Sequence, residues 1–188
     1  LGTWVAVWES NEALSTTIGT DKDILVSHST DNGLSWSSPN ALNTNTFLES
    51  GDDSRPQLAT DGLGTWVVVW ESDESLSDTI GIDTDILVSR STNNGLSWSF
   101  SKALNTNAAT DSARDISAQV TTDGFGNWFT VWSSKSALYV PSLGIDHDIL
   151  ISHSADDGAT WSPAKPLNTN APTDTKDDLD PQLTTDGL

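Results

Sequence analysis

An eight-residue phrase occurs three times in this chain, and its spacing limits the folds open to it. Ser29 to Trp36 (S-T-D-N-G-L-S-W) returns as Ser91 to Trp98 (S-T-N-N-G-L-S-W) and as Ser154 to Trp161 (S-A-D-D-G-A-T-W). The intervals are 62 and 63 residues. Flanking sequence returns in step, with Trp4, Trp66 and Trp128 opening the same apolar run in each copy. A period of this size marks a supersecondary unit that buries its faces only by stacking on its neighbours. The repeats are read as 1–62, 63–124 and 125–187.

One unit divides into four strands. Gln57 to Thr60 is strand A, followed by a tight turn at Asp61 to Gly64, where glycine can take positive φ. Thr65 to Trp70, rich in β-branched and aromatic residues, is strand B. A polar, acidic loop over 71–84 leads to strand C at Asp85 to Arg90. The octapeptide makes the next hairpin, and Trp98 to about Leu104 forms an irregular strand D. No stretch has convincing helical periodicity. Four strands recurring at this period predict an all-β chain, a β-propeller segment of three four-stranded antiparallel blades.

The form S-x-D-x-G-x-[ST]-W resembles the Asp-box, or BNR repeat, of the sialidase superfamily. Copies one and three match it fully, and copy two has Asn93 at the Asp position. The resemblance implies a scaffold element remote from any active site, comprising Ser29, Asp31, Gly33 and Trp36; Ser91, Asn93, Gly95 and Trp98; and Ser154, Asp156, Gly158 and Trp161. The chemistry agrees: the Ser and Asp side chains can bond turn N–H groups, the glycine supplies the unusual φ, and the Trp can wedge between strands or blades. Asn93 can form the same kind of turn. The chain opens at the threshold of strand B and closes just after a strand A. Either it is cut from a longer protein, or segment 181–186 completes the first blade of a second copy. The second case gives a homodimer that closes a six-bladed ring, the blade number of sialidases; a trimer would give nine.

Strand parity separates two faces. In an antiparallel meander the A–B turn and the octapeptide share one end, and the long B–C and D–A loops share the other. Most of the 27 carboxylates lie at the long-loop end. Net charge is −19, with only 8 Lys and Arg, which argues against nucleic acid and anionic membranes as partners. Cysteine is absent, so disulfides are excluded, and no apolar run approaches the 18 residues of a membrane span. Acidic loops suit an extracellular protein kept dispersed in water, or a face that meets a cation, a glycan or a basic protein. The pairs Asp21/Asp23, Asp83/Asp85 and Asp146/Asp148 stand just before strand C. Residues i and i+2 of an extended chain point the same way, so each pair converges and attracts a hard cation such as Ca²⁺. The plainer alternative is that one Asp bonds the loop backbone and the other faces water.

Sialidases use three arginines to hold a substrate carboxylate, a Tyr–Glu nucleophile pair and an Asp acid/base. This chain has three arginines, Arg55, Arg90 and Arg114, and one tyrosine, Tyr139. Arg55-Pro56 is loosely similar to the family's Arg-Ile-Pro motif. Arg114 falls in a loop, Arg90 lies beside the octapeptide on the opposite face, and Tyr139 has no evident Glu partner. His28 and His153 occupy a position where copy two has Arg90, as expected of a solvated strand face. Near-identical blades repeat the same residues around the axis, whereas an active site needs different ones. No catalytic residue is assigned, and Arg55, Arg114 and Tyr139 remain ligand candidates. The sequence is read as a non-catalytic scaffold or binding module. A sialidase-like glycoside hydrolase is the alternative. A selected or engineered fragment that self-assembles is a third reading.

Overall fold

The computed structural model describes residues 2–12, 14, 19, 21–42, 51–76, 79–135, 143–144 and 146–186. Among them there is no helix, and eleven strands form three antiparallel sheets. The first sheet contains β1 (Trp4–Ser10), β2 (Asp23–Ser29) and β3 (Asn40–Ala41). The second runs β4 (Asp53–Thr60), β5 (Trp66–Ser72), β6 (Asp85–Ser91) and β7 (Lys102–Ala103). The third repeats that order as β8 (Asp115–Thr122), β9 (Trp128–Ser134), β10 (Asp148–Ser154) and β11 (Lys165–Pro166). Register is the same in each sheet: Trp4 pairs with Ser29, Trp66 with Ser91 and Trp128 with Ser154. The open edge of β1 is where the other sheets carry their first strand.

Two details differ from the sequence reading. Strand D is only two residues long, because the chain after the octapeptide bonds the neighbouring strand at isolated points, such as Ser99 N to Arg90 O at 2.8 Å. Strand A starts earlier, at Asp53 and Asp115, and contains a bulge. Arg55 and Ser117 sit in the bulges with φ of 53° and 59°. Asp180 has φ 51° at the corresponding place in the third copy.

Alternation along β5 and β6 explains their unbroken apolar runs. Val68, Trp70 and Leu87 face the first sheet and pack with Ile24, Val26 and Leu42. Val67, Val69, Ile86 and Val88 face the third sheet and pack with Trp128, Trp132 and Leu150. Both faces of the middle sheet are buried, so neither polar parity survives. The first and third sheets do not touch among the described residues, and the stack does not close into a ring.

At the tight-turn end, the octapeptide loops hold themselves together. Ser29 Oγ accepts from Gly33 N (2.9 Å) and donates to Asp31 (2.7 Å), while Asp31 accepts from Ser35 N (2.9 Å) and Ser35 Oγ (2.6 Å). These bonds hold the Asp31 carboxyl down at about 2, led by the Ser35 hydroxyl. Asn93 forms the same turn with one bond reversed, its amide donating to Ser97 Oγ at 2.8 Å. Gly158, at φ 77°, also closes the gap between sheets: a Cβ there would lie 2.9 Å from Val67 Cγ2, whereas a Cβ on Gly33, at φ 82°, meets nothing within 4 Å.

Comparison of these two glycines isolates the contact between sheets. Gly33→Ala costs the left-handed strain alone, about 1–2 kcal/mol. Gly158→Ala adds an overpacking cost of about 1–3 kcal/mol. Urea unfolding of both variants checks the difference; equal losses would remove the packing role.

Candidate functional site

Strands A and C both start at the long-loop end with a buried aspartate. Asp53, Asp85, Asp115 and Asp148 are fully buried, and Asp23 nearly so. The ladder places Ser72 between Asp53 and Asp85, and Ser134 between Asp115 and Asp148. Where one sheet meets the next, Asp53 N donates to Lys22 O, Asp115 N to Thr84 O and Asp178 N to His147 O, each at 2.8 Å. Each D–A loop thereby returns to the residue ahead of strand C.

In the second and third copies an asparagine bridges two carboxylates. Asn105 Nδ2 donates to Asp85 Oδ1 (2.6 Å) and Asp115 Oδ2 (2.7 Å), and Asn105 Oδ1 accepts from Ile86 N (3.2 Å). Asn168 does the same with Asp148 Oδ1 (2.7 Å), Asp178 Oδ2 (2.8 Å) and Ile149 N (3.1 Å). Two residues on, Asn107 and Asn170 donate to Asp111 and Asp174. The amides anchor one oxygen of each carboxylate. Asp85 Oδ2, Asp148 Oδ2, Asp174 Oδ1 and both oxygens of Asp146 are buried without a hydrogen-bond partner. None of these four residues has an ion-pair partner among the described residues.

The structure brings Asp83 and Asp85 together, as their spacing predicts, and adds Asp111 from the D–A loop; one oxygen of each lies within 4.8 Å of the others. In the third copy the group is Asp148 with Asp174 and Asp178, and Asp146 is buried at the same end. Asp21 is half-buried and Asp23 buried, and residues 43–50 of the D–A loop that follows are outside the described residues. The sequence reading missed Asp111, Asp115, Asp174, Asp178 and the asparagines. The available signal was Asn-Thr-Asn, which stands unchanged at 43–45, 105–107 and 168–170 between loops that differ.

Burial without counter-charge has an electrostatic consequence. Desolvation pushes the Asp53 and Asp85 carboxyls up to about 7, and raises Asp115 well above and Asp148 above the ordinary range. Neighbouring carboxylates reinforce the shift, including Asp83 and Asp111 on Asp85.

The arginines do not converge. Each lines a different cavity: Arg55 with Ser117 and Asp180, Arg114 with Lys135 and His147, and Arg90 with Phe100 and Lys102. The exposed Arg55 side chain forms an ion pair with the buried Glu71 (3.2 Å), whose Oε1 also accepts from Ser117 N (2.7 Å) in the next sheet. Arg114 Nε donates to Thr84 Oγ1 (3.3 Å). Arg90 donates to the Asp157 carbonyl (3.2 Å) at the octapeptide end, as its position in the sequence predicts. Tyr139 lies outside the described residues.

No protein-family profile and no curated protein matches the chain. Solved structures do. A Hadza microbial sialidase superposes with a TM-score of 0.56 at 17% identity, over 85% of this chain and 34% of that one. The Penicillium chrysogenum α-L-arabinanase gives 0.53 at 14% identity, over 92% of this chain and 47% of that one. The leech intramolecular trans-sialidase gives 0.50 at 18% identity, over 80% and 20%. The chain thus spans less than half the length of each. What they share with it is the fold, the all-β propeller of sialidases and arabinanases.

The raised carboxyls set a pH dependence for the metal-free chain. A folded-state pKa above the unfolded value of about 4 means that stability is fully present below about pH 4 and is lost as pH rises through about 7. In chelator, the melting temperature at about pH 5.5 exceeds that at about pH 8, and Asp85→Asn flattens the difference. Circular-dichroism melts across that window test this; an unchanged slope in the variant would exclude Asp85 as a source.

Proposed function

We propose that the chain is a non-catalytic propeller scaffold, in the style of Asp-box proteins, that presents an acidic loop face to a cation, a glycan or a basic protein outside the cell. The observation that carries this reading is repetition. Successive seams bear the same Asn-braced carboxylates, while the three arginines line three separate cavities. Grip on a sugar acid asks for convergent guanidinium forks, and a surface of charge −19 repels such an anion.

One observation favours a sialidase-like glycoside hydrolase as the second reading. The cleft along the strand A bulges places Arg55, Ser117 and Asp180 side by side in left-handed conformations, with Gln57, Gln119 and Gln182. Backbone strain of this sort concentrates at functional sites. Fluorogenic sialosides and α-L-arabinofuranosides separate the two readings. The scaffold gives no turnover above that of Arg55→Ala; turnover that Arg55→Ala abolishes would establish the hydrolase.

Ring closure belongs to the same proposal. Residues around Asp180 already hold the bulged strand A conformation without a ladder partner, and β1 has a free edge that accepts such a strand. Two chains joined this way make six blades. Light scattering of the chain reads twice its 20.1 kDa mass if so, and a monomeric mass rejects it.

A further inference from the structure

At the long-loop end of the second and third sheets, carboxylates gather in two groups, each built on one fully buried aspartate, Asp85 or Asp148, that has no ion-pair partner among the described residues. We propose that these two clusters are calcium sites, each of which staples the B–C loop of a blade to the D–A loop that follows it. Asp83, Asp85 and Asp111 supply the ligands at one seam, and Asp148, Asp174 and Asp178, with Asp146 beside them, at the next. The proposal rests on the reading of this face as a cation-binding one, and names the ion class and the ligands.

Two independent features carry it beyond acidity. Asp85 and Asp148 are fully buried members of their clusters, and each has one buried oxygen, Oδ2, with no hydrogen-bond partner. Asp146, 7% exposed, has neither oxygen partnered. Buried anions of this kind are costly unless a positive charge accompanies them. Separately, the spacing fits an ion. Two oxygens bound at 2.3–2.6 Å on opposite sides of one cation are at most about 5 Å apart, and one oxygen from each member of a group lies within 4.8 Å of the others.

The donor set selects the metal class. All the grouped ligands are carboxylate oxygens, which suit a hard cation. A set in which one strand-end carboxylate is joined by loop carboxylates offers the adaptable, high-coordination shell of Ca²⁺ rather than the regular octahedron of Mg²⁺. Asn105, Asn107, Asn168 and Asn170 act behind the ligands, each tying down one oxygen of a ligand carboxylate. His147 Nδ1 is engaged by Asp177 Oδ1 at 3.1 Å, outside the ligand group.

Calorimetry and melting of the chelator-stripped chain near neutral pH test this with CaCl₂, MgCl₂ and NaCl at matched ionic strength. Saturable binding of at least two Ca²⁺ per chain is expected, with a rise in melting temperature of roughly 5–15 °C at millimolar Ca²⁺. Asp85→Asn removes one equivalent, yet melts no lower than the unsubstituted chain in chelator, because the neutral amide leaves no unpaired buried charge. Asp174→Asn, in the other group, removes the other equivalent and guards against a folding defect in the first variant. Absence of saturable heat overturns the proposal, as does an equal response to Mg²⁺ or NaCl, or full stoichiometry in both variants. Glycoside turnover by a chain that binds Ca²⁺ as expected would overturn the scaffold reading alone; silence toward Ca²⁺ with no turnover would overturn this one alone.

Discussion

Everything in this structure depends on burial between adjacent sheets. The middle sheet has no solvent face, so Val67 and Val69 serve one neighbour while Val68 and Trp70 serve the other. A seam has three levels. Apolar side chains fill its middle. At one end the octapeptide glycine lies against the preceding sheet, with Gly158 on Val67. At the other end an asparagine holds two aspartates that belong to different sheets. The hydrophobic level supplies the driving force, and the polar levels fix the register and angle at which it is used.

The polar levels differ in kind. At the tight-turn end, carboxylates are exposed and satisfied: Asp31 and Asp156 accept several bonds from their own loops, which hold both well down. At the long-loop end they are buried and incompletely satisfied, and desolvation drives them up. One residue type thus plays opposite electrostatic roles at the two ends of a strand. The first arrangement is complete without help from outside, and the second is stabilised by whatever neutralises it, a proton or a metal ion.

Much of the fold was legible because its signals are local and periodic. The octapeptide set the repeat length, β-branched and aromatic content marked strand B, and parity assigned the loops to their ends. Strand D was overestimated because its residues look like those of a strand while pairing over only two positions. The bulge in strand A left no mark, since Arg55, Ser117 and Asp180 are not residues that announce a left-handed backbone. For the acidic groups, the approach of Asp83 to Asp85 was legible and that of Asp111, Asp174 and Asp178 was not. Asp111 and Asp115 lie about 30 residues from Asp83 and Asp85, and only the return of the chain to the seam brings them together. Asn105 was overlooked because a polar loop residue ordinarily faces water, yet here it is buried and both ends of its amide are engaged.

The bulge has a consequence for how such a protein can change over generations. Its backbone N–H is held by a glutamate of the preceding sheet: Glu9 accepts from Arg55 at 3.1 Å and Glu71 from Ser117 at 2.7 Å. That bond asks nothing of the side chain, and the three copies carry Arg, Ser and Asp there, one cationic, one neutral and one anionic. Substitution at these points alters the lining of the inner cleft and leaves the strand ladders intact. The scaffold therefore holds a row of evolvable positions, one per blade, where a duplicated repeat can acquire individuality without placing the fold at risk.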